Sequence, residues 1–335
     1  MTTQARPAFG TVLTDHMAVA EFRDGQWSPF EVRPVGPLPM HPAAHVLHYG
    51  SECFEGFKAY RRPDGRIAIF RMSRHVERMR QSARQLVLPE PDPQQFADMV
   101  RAVIDRDRAQ VPEAPGALYL RPMLIGTTQN IGAAATPSGE ALFIVLASPV
   151  WDYFAGGMKP LRIFVEERTT RTASHLGVVK TGGNYAAALG PTLAARREYG
   201  VDQVLFCPGG EVQETGAANF LLIREGKILT RSLDSTFLHG VTRDSLLTMA
   251  RDLGFQVEER VFTVAEMLAW VKDGEAALSG TAAVLAGVGT LVTRDGEHRV
   301  AGTGEVGPVT RRLRAALVGI QTGENPDTRG WLEYV

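Results

Sequence analysis

Three short segments of the chain combine residue types that can do chemistry together. In the first, Lys180 follows Val178-Val179 and precedes Thr181-Gly182-Gly183-Asn184-Tyr185. A lysine between β-branched residues and a Gly-Gly turn sits where its amine is partly shielded from water, and such an amine can form a Schiff base with an aldehyde. The glycines let the main chain approach a ligand closely, and Tyr185, at a helix start, can point a phenol at the same ligand. Read alone, the segment fits a surface-loop lysine better than a catalytic one. In the second segment, Gly240-Val241-Thr242-Arg243-Asp244 opens a helix whose first N–H groups and positive dipole end can hold a phosphate. A plain helix start capped by Thr242 fits the same residues. The third, Gln213-Glu214-Thr215-Gly216, sets a carboxylate between two strand-like runs. It is either a turn glutamate or a buried acid that keeps a ring nitrogen protonated, as an electron-sink cofactor requires.

The elements that must position these residues are mixed. Met17–Phe22 and Gln26–Val32 alternate around Asp24-Gly25 and suggest a hairpin. Helical spacing runs from His75 to Leu88, ended by Pro89, and again from Phe96 to Ile104. Ala117–Met123 and Ala141–Leu146 are β-rich, and Ser148–Pro160, with its glycines and prolines, is the expected interdomain linker. Beyond it come a strand at Leu161–Val165, a helix from Asn184 to Tyr199 stopped by Gly200, and short strands at Gln203–Cys207, Ala218–Arg224 and Lys227–Thr230. Thr242–Leu253 is a helix ended by Gly254, Phe255–Val261 a strand, Ala265–Val271 a short helix and Val309–Ile320 a last one. Ala276–Val288 is small and apolar. This order favours mixed α/β (α+β) domains over a regular doubly wound sheet: a smaller N-terminal domain over 1–150, a linker at 151–160, and a larger C-terminal domain over 161–335 that carries Lys180.

Composition narrows the partners. With Lys+Arg 36 against Asp+Glu 37, the formal charge is -1 and offers no field to draw nucleic acid or an anionic membrane. Two cysteines, Cys53 and Cys207, cannot build a disulfide framework, which fits a reducing cytoplasm. The longest apolar stretch, Ala141–Trp151, is too short to span a bilayer. Gly302-Thr303-Gly304-Glu305-Val306-Gly307 matches G-x-G-x-x-G, yet the chain leaves no room after it for the rest of a dinucleotide fold, so it reads as a flexible loop. His41, His45 and His48, near Cys53, lack a completing Cys/His pair, and Pro42 and Gly50 break the helix that would align them. No metal is expected. Neither G-x-S-x-G nor a Walker A loop occurs.

Taken in order along the chain, further motifs join the three segments. They are His48-Tyr49-Gly50, Phe54-Glu55-Gly56, Phe70-Arg71 with Arg78-Met79, Leu118-Tyr119-Leu120-Arg121-Pro122, Glu214-Thr215-Gly216 with Asn219-Phe220, Gly240-Val241-Thr242-Arg243, Ser279-Gly280-Thr281-Ala282, Gly307-Pro308-Val309-Thr310 and Gly330-Trp331-Leu332. The set resembles the branched-chain-amino-acid aminotransferases, fold-type IV pyridoxal-phosphate enzymes whose fold is that of the D-amino-acid aminotransferases. Each motif is weak singly; their order over nearly the whole chain is specific.

The resemblance implies pyridoxal 5'-phosphate held by Lys180, which would also shuttle the proton between the substrate Cα and the cofactor C4′. Glu214 is then the partner of the pyridinium nitrogen, Tyr185 of the ring's phenolic oxygen, and Leu238 packs on the ring. Arg78, the N–H groups of Val241 and Thr242, and the hydroxyls of Thr242 and Thr281 would hold the phosphate. Phe54, Tyr153 and Tyr185 would wall an apolar substrate pocket beside Gly56, with Tyr49 reaching over from a second copy of the chain in a homodimer. Arg121 would take the distal carboxylate of glutamate, and Tyr119 with the N–H groups of Thr281 and Ala282 the α-carboxylate. The implied reaction is transamination of L-leucine, L-isoleucine and L-valine with 2-oxoglutarate. A D-amino-acid transaminase or an aminodeoxychorismate lyase is the alternative on this fold. The Cys-x-x-Cys pair of some animal relatives has no counterpart at Thr281–Leu285. Trp151-Asp152 and the Arg168–Ser174 loop carry no assigned role.

Overall fold

The computed structural model describes residues 7–151, 158–224 and 226–335. Two compact units divide the chain: Met1–Tyr153 with Val179–Gly182 and Ile320–Val335, and Phe154–Val178 with Gly183–Gly319. The short segment around Lys180 therefore belongs with the N-terminal unit, and the C-terminal stretch returns to it.

In the first unit, β1 (His16–Arg23) and β2 (Gln26–Trp27) form the expected hairpin; Asp24 and Gly25 both take the positive φ that such a tight turn needs. The expected strand Gln26–Val32 is split, because Ser28-Pro29 interrupts the ladder before β3 (Glu31–Pro34) pairs with β1. A short helix α1 (His45–Tyr49) precedes β4 (Glu52–Phe54), β5 (Phe57–Arg61) and β6 (Ile67–Phe70). Next come α2 (Met72–Gln85), α3 (Pro93–Arg106), β7 (Ala117–Gly126) and β8 (Ala141–Val150). With the C-terminal strand Leu332–Tyr334 they build a nine-stranded sheet in the order Leu332–Tyr334, β6, β5, β7, β8, β1, β2; β3 lies on β1 and β4 on β7. Val76, Met79 and Ala83 of α2 and Phe96, Met99, Val100 and Val103 of α3 recur at helical spacing, and these stripes are buried in one core with sheet residues such as Phe57, Leu118 and Phe143. Ser148 and Pro149, expected in a linker, belong to β8. Pro149 is tolerated there because β1 stops pairing at Val145 and leaves only β7 alongside.

The ladder of this sheet is broken at one place. Phe54 of β4 faces Met123 of β7 and Phe57 of β5 faces Leu120, so Glu55-Gly56 step out of the ladder opposite Arg121-Pro122. The Glu55 N–H, donating to the Pro122 carbonyl at 2.8 Å, bridges the gap.

The second unit contains β9 (Leu161–Glu166), most of α4 (Gly182–Tyr199), β10 (Gln203–Phe206), β11 (Asn219–Arg224), β12 (Lys227–Thr230) and α5 (Val241–Asp252). It continues with β13 (Gln256–Glu259), α6 (Val264–Trp270), β14 (Glu275–Gly280), β15 (Val284–Thr293), β16 (Gly296–Arg299) and α7 (Pro308–Thr322). Its eight strands run β10, β9, β15, β14, β11, β12, β13, with β16 on β15, and mix parallel with antiparallel pairs. The small apolar run Ala276–Val288 is thus parts of two antiparallel strands joined by Thr281-Ala282-Ala283, and Val284, just after that turn, holds a φ of 62°. A β-branched residue in that region is a strained one.

Candidate active site

Lys180 is fixed by its main chain. The Phe54 N–H donates to its carbonyl at 3.0 Å, and its own N–H donates to Ser82 Oγ of α2 at 3.1 Å. The next two residues are held by Glu52, which accepts from Thr181 Oγ1 at 3.1 Å and from the Gly182 N–H. A Cβ at position 182 would lie 2.6 Å from that carboxylate, so only glycine fits. Burial raises the Glu52 carboxyl above its ordinary value, against the Gly182 and Thr181 hydrogen bonds and the Arg121 charge. The Lys180 side chain is half-buried, its Nζ 4.9 Å from the centre of the Phe54 ring. The sequence offered both a partly shielded amine and a surface-loop lysine; the aromatic face beside this amine, that of Phe54, was not part of that reading.

Arg121 stands on β7 over the same ring, 4.6 Å from its centre, and donates from Nη2 to Tyr119 Oη at 3.0 Å. Among the described residues its buried Nε has no hydrogen-bond partner, an arrangement suited to receiving an anion. The Tyr119 phenol occupies the volume that any side chain at Gly56 would need: a Cβ there would overlap Oη. Phe54, Gly56, Tyr119, Arg121 and Lys180 therefore gather around the break in the sheet. Arg78 lies on α2 and is buried, with Nε and Nη2 on Glu55. Tyr49 is at the surface, donating to the Ile131 carbonyl at 2.5 Å. Tyr153 lies outside the described residues.

In the second unit Glu214 is buried. Its Oε1 accepts from the Leu238 N–H at 2.9 Å and its Oε2 from Asn219 Nδ2 at 3.1 Å. Arg171 Nη1 comes within 2.7 Å of Oε1 at an angle that makes it a charge contact rather than a linear hydrogen bond. Asn219 Nδ2 also donates to the Leu238 carbonyl at 2.8 Å, tying the acid to the loop ahead of α5. The cap of α5 is Gly240 and not Thr242, and no side chain caps it. Asn219 Oδ1 fills the position that a Cβ on residue 240 would take, so glycine suits that cap. Val241 and Thr242 thus open the helix with N–H groups that no capping side chain takes. Asn219 pairs in register with Ser279, which sets Thr281-Ala282 at the same end of the sheet as Glu214. Tyr185, half-buried, is in the first turn of α4, whose Asn184 donates to the Leu176 carbonyl at 2.8 Å.

Sequence reasoning missed Arg171 altogether: nothing in Arg168–Ser174 marks one arginine as interior. It also passed over Glu52, Glu55 and His75, although an acid inside Cys53-Phe54-Glu55-Gly56-Phe57 was a signal that it points inward. The decoys resolve differently. Gly302–Gly307 is a packed turn, where the Cβ position of Gly307 is filled by the Glu275 carboxyl, and that carboxylate caps α7 by accepting from the Val309 and Thr310 N–H groups at 2.9 and 2.8 Å. His45 bonds Ser51 Oγ and the Thr136 carbonyl, and His48 the Pro42 carbonyl. Among the described residues no group of His, Cys, Asp and Glu gathers as for a metal, and no helix is long and apolar enough to cross a membrane.

Residues 52–290 match the family described as amino-transferase class IV. A probable branched-chain-amino-acid aminotransferase of Streptomyces coelicolor is 43% identical, over 98% of this chain and 92% of its own length. The branched-chain-amino-acid aminotransferase of Mycolicibacterium smegmatis is 40% identical over the same shares. Among solved structures, a T.th. branched-chain amino acid aminotransferase with pyridoxamine 5'-phosphate superposes with a TM-score of 0.77 at 28% identity, covering 94% of this chain and 98% of that one. The same protein is also solved with N-(5'-phosphopyridoxyl)-L-glutamate and with 4-methylvaleric acid. By its family match and its nearly full-length relatives, the chain belongs to the branched-chain-amino-acid aminotransferases of amino-transferase class IV.

Proposed function

We propose that the chain transfers the amino group of L-leucine, L-isoleucine and L-valine to 2-oxoglutarate with pyridoxal 5'-phosphate bound at Lys180. The observation that carries this reading is the clamped lysine: its main chain is fixed by Phe54 and Ser82, while its amine rests beside an aromatic ring. The residues fit the cofactor by donor type, with an amine for its aldehyde, a buried carboxylate at Glu214 for its ring nitrogen, and uncapped helix N–H groups at Val241 and Thr242 plus Arg78 for its phosphate. When bound, the cofactor carries the amino group and takes up the electron pair left at the substrate Cα.

The protein's own groups do the rest. Lys180 Nζ, beside the Phe54 ring, would be the base that takes the proton from the substrate Cα and returns it. Glu214, held by Arg171, Asn219 and the Leu238 N–H, would pair with the cofactor's ring nitrogen and favour its protonated form. Tyr185 would bond the ring's phenolic oxygen, Leu238 would pack on the ring, and Thr242 and Thr281 would offer hydroxyls to the phosphate. Phe54 and Arg121 give one pocket two characters, an apolar face for a branched side chain and a cation for the distal carboxylate of glutamate. Tyr119 and the Thr281 and Ala282 N–H groups take the α-carboxylate. Gly56 leaves room for Tyr119. An apolar pocket separates substrates by only about 1–3 kcal/mol per methylene, so all three branched donors are expected to react. The T.th. relative's complexes with a glutamate adduct and a branched acid support the double character.

We also infer a homodimer in the cytoplasm. Leu47 and Ile131, 59% and 70% exposed, flank Tyr49 and suit burial against a second copy. Both cysteines are free and buried, which suits a reducing compartment.

The test is the visible spectrum of the purified protein. A yellow band that bleaches with L-leucine and returns with 2-oxoglutarate is expected. Response to D-alanine but not L-leucine would move the assignment to a D-amino-acid transaminase, and a protein that gains no band with added cofactor would refute it.

A further inference from the structure

The most densely bonded polar cluster of the first unit is centred on Glu55. This acid is 0% exposed, His75 2% and Arg78 8%. Arg78 Nε donates to Glu55 Oε1 at 2.7 Å and Nη2 to Oε2 at 2.9 Å, a parallel two-bond fork. His75 Nδ1 stands 2.7 Å from Oε2, and the Gly56 N–H donates to the same oxygen at 3.2 Å. The Phe57 ring stacks on the His75 ring, 4.8 Å between centres at 25°. Burial alone would raise the Glu55 carboxyl, but the adjoining Arg78 charge and the hydrogen bonds hold it well below the usual carboxylate range. Burial pushes His75 down, so the ring is neutral and bonds the acid through an N–H.

A guanidinium is a planar set of donors, and fixing one edge fixes the direction of the others. With Nε and Nη2 on Glu55, the plane of Arg78 is set before any anion arrives. A phosphate then meets a group that has no rotamer freedom left to lose. We propose that Glu55 and His75 are positioning residues that preset Arg78 for the cofactor's phosphate: Glu55 sets the guanidinium plane through its two parallel bonds, and His75, braced by Phe57, sets Glu55. This rests on the reading of Arg78 as a phosphate ligand. The rival is a buried ion pair that only stabilises the fold.

The two differ in phosphate dependence. The full-length chain, stripped of cofactor, is titrated with pyridoxal 5'-phosphate and with pyridoxal, which lacks the phosphate. Glu55→Gln keeps the shape but turns an amide toward one donor of the fork. It is expected to weaken pyridoxal 5'-phosphate by about 10- to 100-fold, the scale found for outer partners of a charged ligand. Pyridoxal binding is expected to stay unchanged. His75→Gln, which leaves the Glu55–Arg78 pair intact, should show a smaller loss with the same selectivity, and it decides the matter if Glu55→Gln does not fold. Equal loss for both ligands, or none, overturns the inference. Arg78→Gln separates the two layers. If it does not discriminate between the ligands, the phosphate reading of Arg78 fails; if it does and neither positioning variant does, only the inference fails.

Discussion

Glu55 with Arg78 in the first unit and Glu214 with Arg171 in the second are pairs in which both partners are buried, and they are built in opposite ways. Glu55 meets Arg78 through a two-bond fork that engages both oxygens. Glu214 meets Arg171 through a single off-axis contact, and its other donors, Asn219 Nδ2 and the Leu238 N–H, come from separate stretches of chain. In the first arrangement the acid fixes its arginine; in the second, scattered donors fix the acid. A fork suits a cation that must be aimed, and separate donors suit an anion that must stay charged while another group approaches it.

Substitutions at the second pair should give the largest effects. Arg171→Gln leaves the buried Glu214 carboxylate without its cation and is expected to cost about 3–5 kcal/mol in urea unfolding, whereas Asn219→Ala, which removes a neutral donor, should cost about 1–3 kcal/mol. Equal costs would show that Arg171 is only one donor among several. Glu214→Gln should lower kcat about 10²- to 10³-fold in steady-state assays, the scale for losing one group aimed at developing charge. If Glu55→Gln lowered kcat as far under saturating cofactor, the division of labour would be wrong. A smaller effect is expected from Gly56→Ala, whose Cβ would displace the Tyr119 phenol. Overpacking of this kind costs about 1–3 kcal/mol, and KM for the amino acid should rise more than kcat falls.

The pH response sharpens the contrast further. His75 is depressed in the folded protein by burial. The unfolded chain therefore takes up its proton first, and stability falls as pH drops below about 6.5. The lowered Glu55 carboxyl adds a second loss as pH falls further below the ordinary carboxylate value. His75→Gln should remove the upper step, seen as urea midpoints that no longer differ between pH 7.5 and 5.5. An unchanged difference would place the titration elsewhere.

This geometry also explains which parts of the site were legible in the sequence. Lys180, Glu214 and the start of α5 could be singled out as candidates because their neighbours, glycines and strand-like apolar runs, are local, although each alone also fitted a plain structural role. Thr242 was the natural cap by type, but the helix already begins at Val241, and the cap is Gly240, where Asn219, distant in sequence, packs in the place of a side chain. Arg171 was invisible for the same reason: an arginine among threonines has no periodicity, and only the tertiary fold decides that it is interior. His75 and Arg78 stand three apart on α2 and so share a face, a pattern open to inspection once Glu55 is read as pointing inward. Pro149 misled in the other direction, since proline is a linker signal unless the strand beside it has ended.

The strand Leu332–Tyr334 lies on β6, and Ser73 at the start of α2 bonds Glu333 across 260 positions of chain. The strands of the second unit all fall between Leu161 and Arg299. During synthesis the later-made unit can therefore finish its sheet first, while the earlier one waits with β6 as an open edge until the last strand leaves the ribosome. The half translated first thus relies on the C-terminal stretch to cover an edge of its sheet.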